Sequence, residues 1–251
     1  MNKEKLLISI VTPFFNEESG VNLYYKELIE VIQGLKEYVF EIILIDDGST
    51  DETLIKLLKI SKNDQRIRVI ELSRNFGKEA ALTAGIDLAS GEATILMDAD
   101  LEHSPKTIVK MLHEWNKGFD IVLAQREDRS NESVIKRFTT KIFYKLFNRL
   151  SDIKIPSDVG EFRLMNRTSI NAVKSMPERQ RFMRGMLSWV GFKHSIVSFK
   201  VETRDKGKTK FSRSKLWNFA IDGLVSFSDI PLRIWSYLGF AAMFISLFFI
   251  I

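Results

Sequence analysis

ILMDADLEHSP, residues 95–105, carries an apolar run straight into Asp98 and Asp100, with Glu102 and His103 close behind. Carboxylates beside a core cost free energy unless something pairs with them. On an extended strand end, residues two apart point to one side, so Asp98 and Asp100 share a face and Glu102 continues the parity. One or two carboxylates plus substrate phosphates are the ordinary setting of Mg²⁺ or Mn²⁺. Asp98, Asp100 and Glu102 are therefore expected as metal ligands. His103 falls off this parity and is expected to bridge to a helix start, with Ser104 as N-cap and Pro105 at the first helical position. A solvated loop with acids at a helix start would account for Glu102, but not for an aspartate pair that ends an apolar strand.

Around this stretch, β-rich runs at 6–13, 40–46, 66–72, 93–98 and 120–125 alternate with amphipathic stretches at 21–34, 52–61, 78–89 and 105–117. Regular β-α-β alternation predicts an α/β fold, a mostly parallel Rossmann-like sheet flanked by helices. Ligands in such sheets sit outside the carboxyl ends of the strands. The polar clusters fall there: PFFNEE, DDGSTD, SRNFGKE and DADLEH follow the first four strands in turn. In SRNFGKE, Gly77 precedes a helix start whose backbone N–H groups can face substrate, while Arg74 and Asn75 serve either substrate or the turn itself. Neither a GxGxxG nor a Walker loop is present, which disfavours a dehydrogenase or a P-loop NTPase.

The chain has 251 residues, 45% hydrophobic, enough for one sizeable core, and no cysteine, which excludes disulfides and thiolate zinc sites. Charge is uneven. Residues 1–125 carry 14 Lys+Arg against 21 Asp+Glu, a net −7, whereas residues 126–215 carry 22 against 9, a net +13. Such a basic middle segment calls for an anionic partner. The uncharged run from Trp235 to Ile251 is 17 residues long, the lower limit for a membrane-spanning helix, so lipid is the favoured partner. The chain is expected to stop inside that segment. Within residues 132–150, Arg137, Lys141, Lys145 and Arg149 form one row at spacing four, beside Val134, Phe138, Ile142, Leu146 and Leu150. That pattern suits a helix on an anionic membrane surface, or an ordinary helix packed on a core. The resulting division is 1–125 for donor binding, 126–211 for the acceptor with its basic membrane-facing helix, 212–233 as an amphipathic juxtamembrane helix, and 234–251 as the start of a transmembrane segment.

Taken together, TPFFNEE, DDGSTDET, RNFGKEAALTAG, MDADLEHSP, DVGEFRLM, RFMRGMLSWVGF and RDKGKTKFS resemble the inverting family 2 glycosyltransferases of GT-A fold. The likeness is closest to the polyprenyl-phosphate branch, with its bacterial bactoprenol glucosyltransferases and dolichyl-phosphate mannose synthase, and it covers nearly the whole chain. It implies a nucleotide-sugar donor, UDP-glucose first, and undecaprenyl phosphate as acceptor, at the cytoplasmic side of the bacterial inner membrane in O-antigen modification. By position it implies that Pro13, Glu17 and Asp47 contact base and ribose, that Lys78 joins the donor site, and that Asp98 and Asp100 hold the metal on the diphosphate. Asp158 falls where the family places a catalytic acidic residue. Relatives often carry Gln where Glu102 stands and Asp where Glu161 stands. The family also implies two C-terminal transmembrane helices, a downstream flippase and membrane glycosyltransferase, and leaves room for a homo-oligomer.

The chemistry runs the same way. Cleaving a sugar–diphosphate bond develops negative charge on the leaving nucleotide, which a metal and cations stabilise. Arg126, Arg163, Arg184, Arg204 and Lys210 are candidate phosphate and acceptor clamps, Arg126 nearest the reaction. Lys206 and Lys208 fit a solvated basic loop better. A phosphate acceptor has a second pKa of about 6 and is already nucleophilic at neutral pH, so Asp158 is expected to orient Arg163 or a neighbouring cation rather than remove a proton. The alternative is a loop aspartate capping a turn before Gly160. GDP-mannose, amino-sugar donors and other lipid acceptors fit the same motifs. A nucleotidyltransferase would share the carboxylates and release pyrophosphate. A nucleic-acid binder would need neither the acidic pocket nor the apolar tail.

Overall fold

The computed structural model describes residues 5–100, 102–127, 159–178, 183–199 and 230–250. Seven strands form one sheet: β1 (Leu6–Phe14), β2 (Tyr38–Asp46), β3 (Ile67–Glu71), β4 (Ala93–Leu96), β5 (Ile121–Arg126), β6 (Val159–Asn166) and β7 (His194–Phe199), in the order β3-β2-β1-β4-β6-β5-β7. The first four pair in parallel, β1 with both β2 and β4, and β2 with β3. Strand β6 runs antiparallel between β4 and β5, and β5 pairs in parallel with β7. The expected strands and their mostly parallel arrangement are present.

The inner strands are near-continuous apolar runs because helices cover both faces. Ile8, Ile10, Ile42, Leu44, Ile95 and Leu164 are all essentially inaccessible. Helix α1 (Val21–Gln33) buries Val21, Tyr24, Leu28 and Ile32, one stripe at helical spacing. Helices α2 (Thr53–Asn63) and α3 (Lys78–Leu88) follow β2 and β3. Helix α3 lies so close to the sheet that a Cβ on Gly85 would run into Val11 and come within 2.7 Å of Ile45. Helix α4 (Thr107–Asn116) starts later than its sequence suggests. Its N-cap position is Lys106, without a side-chain cap, and Ser104 and Pro105 instead lend their carbonyls to the N–H groups of Thr107 and Ile108.

Beyond residue 126 the sequence periodicity did not expose four of the described elements. These are β6, which runs from DVGEFRLM into Asn166, then α5 (Arg167–Ser175), a short helix and β7. Asn166 caps α5 by accepting from the N–H of Ser169 at 2.8 Å. A short helix, α6 (Met183–Trp189), precedes β7. Because β6 inserts between β4 and β5, the sequence division at 125/126 separates two charge patterns inside a single sheet. By contacts the chain falls into one unit of Met1–Asn131 with Asp158–Lys206, and a second of Glu132–Ser157 with Gly207–Ile251.

The basic helix expected at 132–150 lies outside the described residues, as does the juxtamembrane stretch up to residue 229. Helix α7 (Ile230–Ile250) forms in the apolar tail, with Trp235, Tyr237, Phe240, Phe244, Phe248 and Phe249 all exposed. Among the described residues, no helix is long and apolar enough to cross a membrane.

Candidate functional site

The loops after β1, β2 and β3 hold one another. Asn16, at φ +52°, donates its N–H to Ser49 Oγ at 3.0 Å and accepts from the N–H of Thr50 at 2.8 Å. The N–H of Glu17 reaches Thr53 Oγ1, and that of Glu18 reaches Asp51. Asp46 accepts from the N–H of Ser49. Gly48, at φ +66°, lies against the third loop so closely that a Cβ there would sit 2.5 Å from the nitrogen of Asn75. Only glycine satisfies both that backbone and that approach.

Asp47 is the clasp of this lattice. It is 3% exposed and accepts from the N–H groups of Phe76 at 2.8 Å and Gly77 at 2.9 Å. Burial pushes its carboxyl up, and the two N–H groups pull it back. The N–H groups of Phe76 and Gly77, just before α3, are directed at Asp47 and not at substrate. The Arg74 guanidinium stacks 4.0 Å from the Phe76 ring and donates to the Asn75 carbonyl, so it fixes the turn. Pro13 lies on β1 opposite Ile45, and Glu17 opens the turn into α1.

At the end of β4 the carboxylates meet cations. Lys78, the first residue of α3, places Nζ 2.6 Å from Asp98 Oδ1. Glu102 pairs with Arg126, the last residue of β5. Asp100 accepts from the N–H of Glu102 at 3.0 Å. Burial and the neighbouring Asp98 push the Asp100 carboxyl up to about 6. Sequence parity grouped Asp98, Asp100 and Glu102 as three ligands. Among the described residues, no group of three His, Cys, Asp or Glu side chains is arranged to hold a metal ion. Glu102 is instead directed at Arg126. Two half-buried carboxylates remain, Asp100 short of countercharge, and that donor set fits Mg²⁺ or Mn²⁺ completed by substrate phosphates.

His103 was underestimated by sequence parity. It is 5% exposed, its ring lies 5.2 Å from that of Phe162 and 5.0 Å from that of Phe199, and Nδ1 is 3.9 Å from Asp98 Oδ2. Nδ1 is buried without a hydrogen-bond partner. Burial drives the imidazole down to about 4, with Arg126 and Lys78 adding to the effect and Asp98 opposing it, so it is neutral at pH 7. A Cβ on Gly160 would press within 3.3 Å of Nε2. His103 thus wedges the DxD loop against β6 and β7, where the sequence reading put it at a helix start. The aromatic residues in GEFRLM and SIVSFK were the available signal, and their pairing with His103 is set only by tertiary structure.

Arg163 corrects another expectation. It is 3% exposed, donates to the Gly160 carbonyl at 2.7 Å, and pairs with Glu161, itself 3% exposed. It is an internal cation of β6 and not an open phosphate clamp. Arg184 lies in α6, a backbone position only. Asp158, Arg204 and Lys210 lie outside the described residues. The structure therefore brings together Lys78, Asp98, Asp100, Glu102, His103 and Arg126, and Asp47 holds the backbone just before Lys78.

Residues 9–173 match the Glycosyl transferase family 2. The chain is 47% identical to an uncharacterized glycosyltransferase of Synechocystis over 96% of its own length and 75% of that protein's. It is 46% identical to the prophage bactoprenol glucosyl transferase homolog of Escherichia coli, over 92% of this chain and 76% of that one. In fold it is similar to the glucosyl-3-phosphoglycerate synthase of Mycobacterium tuberculosis, solved with Mn²⁺, UDP-glucose and phosphoglyceric acid. There the TM-score is 0.56 at 18% identity, over 88% of this chain and 79% of that one.

Proposed function

This chain belongs to the family 2 glycosyltransferases, and from that premise we propose that it transfers a hexose, glucose from UDP-glucose, to undecaprenyl phosphate on the cytoplasmic face of a bacterial membrane. The observation that carries the reading is the pair Asp98 and Asp100, held at a strand end beside Lys78 and Arg126. The relatives named for bactoprenol glucosyl transfer support the acceptor. The basic rows of 132–150 and the exposed apolar face of α7 support a membrane surface.

In this mechanism Asp98 and Asp100 hold Mg²⁺ or Mn²⁺, which when bound supplies positive charge to the diphosphate. The loop lattice around Asp47, Asn16 and Ser49 presents a rigid face to the nucleoside, which keeps reorganisation small. Lys78 donates to the diphosphate as a point charge. An oxygen of the acceptor phosphate forms the new bond to the anomeric carbon, while the bond from that carbon to the nucleotide breaks and its electron pair leaves on the diphosphate. The acceptor dianion carries no proton that must be removed at neutral pH. Asp158 orients a cation toward it.

The test is incubation of the protein with undecaprenyl phosphate in detergent and a panel of labelled nucleotide sugars. The expected outcome is a lipid-phosphate hexose and free UDP, from UDP-glucose foremost and only with Mg²⁺ or Mn²⁺. Full turnover in excess EDTA would defeat the metal assignment, and release of pyrophosphate would mark a nucleotidyltransferase. Lipid association is tested by reversing Arg137, Lys141, Lys145 and Arg149, each worth about 1 kcal/mol near an anionic surface. Binding to anionic liposomes should fall, with neutral liposomes unaffected.

A further inference from the structure

The acidic strand end already contains two cations of its own. Lys78 Nζ lies 2.6 Å from Asp98 Oδ1, with 36% of the lysine side chain and 19% of the aspartate side chain exposed. Arg126 engages Glu102, and it projects from the end of β5, a fixed strand. The two cations differ in kind. The Arg126 guanidinium is a planar fork on a rigid element, whereas the Lys78 ammonium is a compact charge on a flexible four-carbon stem that changes partners easily. Lys78 also begins α3, so its backbone stays fixed by the Gly77–Asp47 contact while the ammonium swings. Its charge is felt at Asp100 and at His103 as well, which places it over the whole DxD loop.

A divalent cation arriving alone would have to approach Asp98 against that ammonium. A nucleoside diphosphate changes the balance, because its oxygens offer Lys78 another anionic partner and offer the metal additional ligands. We propose that Lys78 is an exchangeable counter-cation: it occupies Asp98 until a nucleoside diphosphate draws it away, so metal and diphosphate bind as a pair. Glu102 stays with Arg126 throughout, which leaves Asp98 and Asp100 as the protein's share of the metal. The inference rests on the reading of Asp98 and Asp100 as the metal carboxylates.

The test is Mn²⁺ binding to the full chain, followed by electron paramagnetic resonance with and without UDP. Wild-type protein should bind Mn²⁺ weakly alone and roughly tenfold or more tightly with UDP, a coupling of ordinary size for two ligands. Lys78→Gln should bind Mn²⁺ alone roughly tenfold more tightly, and lose most of the gain from UDP. Lys78→Arg, which keeps the charge but holds Asp98 with a bidentate fork, should keep the weak nucleotide-free binding and gain less from UDP than wild type, and circular dichroism should show all three folded. If Lys78→Gln leaves both the nucleotide-free affinity and the gain from UDP unchanged, while Asp98→Asn abolishes binding, the counter-cation role is overturned and the metal assignment stands. If wild-type protein binds no Mn²⁺ even with UDP, the metal assignment falls, and this inference falls with it.

Discussion

The strand ends of β1 to β3 and the strand end of β4 are both acidic, and they compensate clustered carboxylates in opposite ways, the first buried and the second half-exposed. At the first, Asp47 receives two backbone N–H groups and Asp46 one, within a lattice of neutral hydrogen bonds. At the second, Asp98 and Glu102 are met by Lys78 and Arg126, and Asp100 is left with one N–H donor and a carboxyl pushed up to about 6 by burial and by Asp98. Backbone donors do not leave when a ligand arrives, whereas side-chain cations can change partner. The first region is built to keep a shape, and the second is built to be completed.

Substitutions at the two strand ends should act differently. The largest effect belongs to the β4 end, where Asp98→Asn or Asp100→Asn should lower kcat by about 10²–10³ or more, as for other losses of transition-state charge stabilisation. Thermal melting should show either variant folded. At the lattice, Gly48→Ala forces a left-handed backbone onto a residue with a Cβ aimed at Asn75, and should cost about 2–3 kcal/mol by urea titration. Asp47→Ala leaves two N–H groups without their acceptor, partly recovered by water, and should cost about 1–2 kcal/mol.

The smallest effect carries the opposite sign. Asp100 has a folded pKa of about 6, raised above the ordinary carboxylate value of 3.8 by burial and by Asp98. The unfolded chain therefore binds fewer protons between those values, and stability contributed by this group is present at low pH and lost as pH rises through about 6. In EDTA, Asp100→Asn should stabilise the protein by about 1–2 kcal/mol at pH 7.5, a gain that vanishes towards pH 4. A destabilised variant at pH 7.5 would show that Asp100 is satisfied in the same manner as Asp47. Gain of stability with loss of turnover would show that the strain belongs to function.

Legibility in the sequence followed locality. The strands up to Arg126 were readable because each is a short apolar run bounded by turn residues, and a parallel sheet follows from their alternation with helices. The Asp98–Asp100 pair was readable because strand parity puts both on one side. The same parity misplaced Glu102, since the chain turns at residue 102 and the side chain meets Arg126, 24 positions on. Asp47 was read as a nucleoside contact, and its two N–H partners lie 29 and 30 residues away. Arg163 looked like a clamp because arginine in a basic segment commonly faces anions. The insertion of β6 between β4 and β5 buries it instead.

What the sequence determined by itself is the α/β class, the positions of its first five strands along the chain and the placing of polar and acidic clusters at the carboxyl ends of the first four, because these depend on periodicities of two and 3.6 residues along one segment. The motifs also sufficed to place the chain in its family. Tertiary structure alone decided which charges meet: Lys78 with Asp98, Glu102 with Arg126, and His103 between Phe162 and Phe199. Those pairings depend on distances across the sheet. A carboxylate carries the same charge at every position, and only the fold sets whether its nearest neighbour is a fixed N–H, a movable ammonium or another acid.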